Sequence, residues 1–125
     1  MKVSLDEMVG RLTAGPEAGR IGMVASHLGV VRAVDLRGRA VMALEVSYDQ
    51  ALVESIVNET RKLDGIIDAL VEFFEGRLEI GDPILCVAIA GETRSVVFPA
   101  LTQTVERIKS EAVKKREIPV PSQQG

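Results

Sequence analysis

Residues 107–117 read RIKSEAVKKRE and place five Lys or Arg side chains in eleven positions, in a chain whose formal net charge is −3. Arg107, Lys109, Lys114, Lys115 and Arg116 fall at the end of the last helix that the sequence predicts. Two roles fit such a cluster. Cations at a helix C-terminus are stabilised by the helix dipole, and Glu106, Glu111 and Glu117 offset part of the charge. Alternatively, the cluster holds an anion. Arginine presents a fork of donors to a phosphate, and a partly desolvated lysine among other cations can exchange its proton near neutral pH. Arg94 opens the same helix, where a positive charge is mildly unfavourable, and that placement fits a residue kept for anion contact. Arg32, at the end of the first predicted strand, is unremarkable alone.

Other chemistries find less support. His27 is the only histidine and has no Cys or His near it at ligand spacing, so it reads as a ring on a partly exposed strand face. Cys86 lies in the most apolar run of the chain and reads as inert packing; as the only cysteine it forms no internal disulfide. The glycines of HLGVVR and EGRLEIGD spell neither G-x-G-x-x-G nor a P-loop, so no nucleotide site of those types is expected. No metal and no cofactor is expected. The net acidic charge argues against general nucleic-acid affinity.

These candidates need elements to position them. A chain of 125 residues suits one domain, expected over 1–118, with PVPSQQG at 119–125 as a flexible tail. Apolar residues make up 46% but aromatics only 3%, which predicts an aliphatic core. The start, MKVSLDEMVGRL, carries early acids and no long apolar run, and no segment approaches the ~20 apolar residues of a membrane helix. A cytoplasmic protein with no membrane contact is therefore expected.

Ser4 and Glu7 form a capping-box pattern that predicts a helix over 4–13. Residues 20–32 read as a strand interrupted at Gly29, 33–39 as a polar, mobile loop, and 40–48 as a second strand. Asp49 caps a helix over 50–63, with Leu52, Ile56, Glu59 and Leu63 on one face. Residues 65–75 fit a strand, 76–83 a turn with a short strand at most, and ILCVAIA at 84–90 a buried central strand. A helix over 95–112 closes the order, with Val97, Leu101, Thr104 and Ile108 on one face. The pattern is α+β, a mainly antiparallel sheet with helices packed on one side.

Several stretches, taken in order, resemble the catalytic (large) subunit family of molybdopterin synthase. PEAGRIGMVASHLGVVR (16–32) is similar to that family's P-E-A-G…F-x-G-x-V-R block, and LEVSYDQAL (44–52) to its L-E-x-x-x-Y…M-A segment. GRLEIGDPILCVAIA (76–90) resembles its G-x-L-x-x-G-D-x-x-V-x-V-x-V block. TRSVVFPALTQTVERIK (93–109) resembles H-R-x-x-A-F…I-D-R-L-K, and VKKRE (113–117) the W-K-K-E ending.

The resemblance implies an α/β-hammerhead-type fold and a homodimer, built with the small subunit into a heterotetramer. It implies a small ubiquitin-like sulfur-carrier partner, whose C-terminal thiocarboxylate delivers sulfur to cyclic pyranopterin monophosphate to make the molybdopterin dithiolene. By motif position, Lys109 takes the place of one catalytic lysine and Lys115 (or Lys114) that of the second. Arg32 and Arg94 take the places of arginines on the substrate side, and Thr93 stands where the family has the histidine of H-R.

The chain departs from the family at several points. Besides Thr93, His27 stands for the phenylalanine of F-x-G-x-V-R, Phe73-Phe74-Glu75-Gly76 for H-R-x-G, and Glu111-Ala112-Val113 for P-x-W. Threonine is no acid or base near pH 7, so two functions are carried forward. One is a sulfur-transfer enzyme. The other is a non-catalytic relative that binds the small subunit, or a phosphorylated ligand, as scaffold or regulator.

Overall fold

The computed structural model of the protein describes residues 2–121. Its first helix, α1 (Leu5–Leu12), starts where the Ser4 hydroxyl accepts the Glu7 amide at 3.2 Å. A single 3-10 turn, Ala18–Arg20, leads into β1 (Met23–Val30). Strand β2 (Val41–Tyr48) runs into α2 (Gln50–Arg61), whose first turn is capped by the Asp49 carboxylate accepting the Leu52 amide at 3.1 Å. Strands β3 (Ile66–Phe73), β4 (Gly76–Glu79) and β5 (Pro83–Gly91) follow, then α3 (Arg94–Arg107). A π-helical turn, Ile108–Ala112, passes directly into β6 (Val113–Pro119).

The strands form two antiparallel three-stranded sheets, in the orders β1-β5-β3 and β4-β2-β6. The expected α+β, antiparallel class is the one observed, but the helices do not all pack on one side. On one face of β5, Leu85, Val87 and Ile89 meet Val53, Ile56 and Val57 of α2 and Val97 and Ala100 of α3. On the other face, Cys86, Ala88 and Ala90 meet Met8 and Leu12 of α1. The cause is the period of two along a strand: a run that is apolar at every position must be covered twice. Burying side chains such as Met8 and Leu12 contributes about 1.5–3 kcal/mol each. The Cys86 thiol, 3.6 Å from the Met8 sulfur, is buried, and burial and then Glu72 push its pKa up.

The helices seat closely. A Cβ at Gly91 would stand 2.5 Å from Val97 Cγ2 and 2.8 Å from the Gly65 carbonyl oxygen, so any side chain there must displace α3. Between α2 and α3 the Thr60 and Thr104 hydroxyls lie 2.5 Å apart, fully inside. The buried stripe of α2 is Val53, Ile56, Val57 and Thr60, rotated from the face expected through Leu52, Glu59 and Leu63. Tyr48 ties the sheets together: its hydroxyl, from β2, donates to the Ile84 carbonyl of β5 at 2.7 Å. Burial, and secondly Glu75, push its pKa up to about 12.

Strand β6 is an element that the sequence reading does not assign. VKKREIP pairs with β2 from Tyr48↔Val113 to Val41↔Pro119. It lies at a sheet edge and buries little, so it carries charge at consecutive positions and shows no alternation of the kind that marks a half-buried strand. Of the tail expected at 119–125, residues 122–125 lie outside the described residues. The loop at 33–39 is also more fastened than expected. The Asp35 carboxylate, 8% exposed, accepts the Arg37 and Arg39 amides at 2.8 and 2.9 Å and the Arg39 guanidinium at 2.8 Å. Those bonds, the Arg39 amide first, lower its pKa against the opposing effect of burial.

Candidate functional site

A cavity of about 440 Å³ opens where the end of the first sheet meets the second. Five segments build it. Strand β1 and the chain just after it supply His27, Gly29, Arg32 and Asp35. Val41 and Leu44 of β2 and Ile84 and Leu85 of β5 supply an apolar floor. The π turn supplies Lys109, and β6 supplies Lys115 and Glu117.

Local structure explains how these groups meet. The register between β1 and β5 breaks between Gly29 and Val30, and such a bulge bends a strand end and re-aims the residues beyond it. The Val31 amide then donates to the Asp82 carbonyl, and the Gly81 amide to the Val31 carbonyl, which fixes the backbone beside Arg32. At the other wall the helix widens into a π turn at Lys109, a feature frequent at functional sites. Ala112 accepts the Asp49 amide at 2.8 Å, and β6 starts at the next residue. No loop intervenes between Lys109 and Lys115, so both ammonium groups reach one cavity.

Electrostatics divide the 107–117 cluster. Arg107 is held by Glu59 and by Glu111, the latter at 2.9 Å, and these bonds, Glu111 first, raise its pKa. Arg116 is held by Glu45 at 2.7 Å. Both are surface ion pairs whose side chains stay in contact with solvent, Arg116 the more so. Among the described residues, no carboxylate lies within ion-pair distance of Lys109, Lys114, Lys115 or Arg32. Lys115 is exposed as a residue, yet its surroundings desolvate its charge. That desolvation, followed by Lys109, lowers its pKa, and Glu117 opposes the shift. The cavity thus holds three cations against two carboxylates, Asp35 and Glu117, and Asp35 is already engaged by Arg39. It favours an anion.

The sequence candidates separate into two groups. Lys109, Lys115 and Arg32 line the cavity together. Lys114 lines a different, shallower groove with Arg77 and Arg116, which Lys115 also borders. Thr93 and Arg94 line neither. They stand at the N-terminal end of α3, where the Thr93 hydroxyl lies 3.1 Å from that of Ser95. The helical rise puts them roughly 20 Å from Lys109 along the axis. His27 lies partly exposed on β1, as expected, but it also lines the same cavity as Lys109, and burial and then Lys109 lower its pKa. The signal for it was its place two residues before Gly29 on one strand face, but no sequence rule brings residue 109 beside it. Among the described residues, no group of three or more His, Cys, Asp or Glu side chains is arranged to hold a metal. No helix is long and apolar enough to cross a membrane.

The α+β scaffold is shared with known proteins. A model of the MoaE protein family matches residues 1–111. The chain is 34% identical over 110 residues to the molybdopterin synthase catalytic subunit of Ralstonia nicotianae, covering 83% of this chain and 62% of that one. It is 34% identical over 99 residues to the subunit of the same name from Cereibacter sphaeroides, covering 76% and 66%. It therefore spans somewhat less than two thirds of the length of these relatives.

Among solved structures, molybdopterin synthase from Staphylococcus aureus superposes with a TM-score of 0.77 at 22% identity, over 96% of this chain and 88% of that one. A complex of subunits 1 and 2 of molybdopterin-converting factor from Helicobacter pylori superposes with a TM-score of 0.68 at 18% identity, over 94% and 84%. At those identities the structures speak for the fold. The chain belongs to the MoaE protein family.

Proposed function

We propose that this protein is the catalytic subunit of a molybdopterin synthase in molybdenum cofactor biosynthesis. It would transfer sulfur from the thiocarboxylated C-terminus of a small ubiquitin-like subunit to cyclic pyranopterin monophosphate. The observation that carries this reading is the convergence of Lys109, Lys115 and Arg32 on one cavity without carboxylate partners. Both reactants are anionic, one a phosphate and one a thiocarboxylate. Unpaired cations on an apolar floor favour both, because charges interact more strongly away from bulk water. Arg32 suits the phosphate through its donor fork. Lys109 is assigned to stabilise charge developing as sulfur transfers. Lys115, with its lowered pKa, is assigned to proton exchange. Lys114 borders the neighbouring groove, which suits the approach of an extended, anionic chain end rather than the bound substrate.

Arg94 and Thr93 cannot serve this cavity within one chain. Their assignment to substrate therefore goes with the homodimer: a second copy would have to present them. The domain is proposed as 1–118, in a cytoplasmic setting.

A second reading rests on Thr93, which offers no acid or base where the family has histidine. There the protein keeps small-subunit or phosphorylated-ligand binding and lacks turnover. One experiment separates the two. The purified protein is mixed with thiocarboxylated small subunit and cyclic pyranopterin monophosphate, and the dithiolene is detected after oxidation to a fluorescent product. Product in a single turnover is expected. No product, with the small subunit still retained in a pull-down, would replace the enzyme with the scaffold.

A further inference from the structure

His27 Nε2 is the buried side-chain nitrogen or oxygen that, among the described residues, has no hydrogen-bond partner. Such an orphan costs free energy unless something outside the chain completes it. The ring lies along the strand over Gly29, where a Cβ would come within 3.3 Å of Nε2, so the glycine leaves the space that the imidazole occupies. Positions 27 and 29 share a strand face, and His27 sits opposite Val87 on the side covered by α3. That face leads into the cavity of Lys109, Lys115 and Arg32.

The charged groups around the ring come from three segments. The π turn contributes Lys109, β6 contributes Lys115 and Glu117, and the chain after β1 contributes Arg32 and Asp35. The flanking β2 and β5 positions are apolar. An imidazolium in the empty cavity would face three cations and bury an N–H without an acceptor. A neutral ring with its proton on Nδ1 avoids the charge and the buried Nε2–H, and leaves only an unfilled acceptor at Nε2. An entering dianion reverses the balance: it cancels the lysine and arginine field and brings acceptor oxygens.

We infer that His27 is a further functional residue of this cavity, neutral when the cavity is empty and taking up one proton from solvent as an anionic ligand enters. The change is imidazole plus one proton giving imidazolium, with no other bond made or broken. A proton donor then arrives with the anion, where protonatable sulfur and oxygen atoms gather in the proposed reaction. The inference rests on the anion-cavity reading above.

Because the chain has one histidine, a single imidazole signal reports the event. The test follows that signal by NMR from acid to neutral pH at low ionic strength, without and with sulfate, a dianion that does not titrate there. Backbone amides of Lys109 and Lys115 report occupancy. The expected result is a midpoint below the ordinary 6.5 without sulfate. Saturating sulfate should raise it by about one pH unit, equivalent to a tenfold fall in sulfate affinity as pH rises across the titration. His27→Phe keeps a planar ring in the same space and should bind sulfate with an affinity that no longer changes over that range.

Sulfate occupancy with an unmoved midpoint would overturn the proton uptake and leave the cavity reading intact. The same pH dependence in His27→Phe would overturn the assignment to His27. Sulfate that leaves the Lys109 and Lys115 amides undisturbed would overturn both the inference and the anion cavity beneath it.

Discussion

Within residues 107–117, two arginines and two of the three lysines lie a few positions apart and meet opposite fates. Arg107 and Arg116 find carboxylates, on α2 and the π turn for the first and on β2 for the second. Lys109 and Lys115 point into a cavity where Glu117 is the carboxylate not already engaged. The difference teaches how to read a basic cluster: its charge count says little, and the partners that the fold supplies to each side chain say more. Paired cations act as fasteners, of modest value at a surface because solvent screens them. Cations left unpaired on an apolar floor are held at a cost in desolvation, and that cost suits a ligand of opposite charge.

Breaking the comparison at its functional end should give the largest effect. Lys109→Ala is expected to lower the single-turnover rate about 100-fold or more, the scale for losing one group that stabilises developing charge. Its thermal midpoint should stay near that of the parent, since Lys109 is exposed and has no partner to orphan. A large fall in the midpoint with the rate intact would make Lys109 a structural residue. Next in size, Arg32→Ala should weaken substrate binding roughly tenfold or more, as expected for a charge-assisted hydrogen bond. The loss should shrink with a dephosphorylated analogue; an equal loss for both ligands would remove the phosphate from Arg32.

At the structural end, Tyr48→Phe deletes the bond to the Ile84 carbonyl that joins the two sheets and should cost about 1 kcal/mol in chemical denaturation. No change would mean that the sheets are held by packing alone. A smaller, pH-dependent effect belongs to His27. Its folded pKa lies below the unfolded value of 6.5, so the unfolded chain binds the proton first as pH falls. Stability is therefore full above 6.5 and is lost as pH drops through the window beneath it. Denaturation midpoints between about pH 5 and 6.5 should slope less in His27→Phe than in the parent. Equal slopes would mean that the buried ring adds nothing to the acid response.

Much of the scaffold is legible in residues that act locally. Ser4 and Asp49 announce their helices because a cap needs only the next three residues. ILCVAIA announces a central strand because burial on both faces leaves no polar position. The rest depends on partners distant in the chain. VKKREIP becomes a strand only because β2 offers it an edge, and nothing in its own pattern requires that. The buried face of α2 is Val53, Ile56, Val57 and Thr60, set by core partners such as Ile89, Val97 and Thr104 that are distant in the chain. For the site, motif position picked out Lys109, Lys115 and Arg32, and these three do share a cavity. It could not tell that Thr93 and Arg94 stand at the far end of α3, or that His27 turns inward beside Lys109.

The most direct test sets the two halves of the cluster against each other in one single-turnover assay of sulfur transfer to cyclic pyranopterin monophosphate. The Lys109→Ala/Lys115→Ala protein is compared with Arg107→Gln/Arg116→Gln. Dithiolene is expected from the arginine variant at close to the parent rate, with a slightly lower thermal midpoint, and none above background from the lysine variant. Equal rates in the two variants would contradict this expectation.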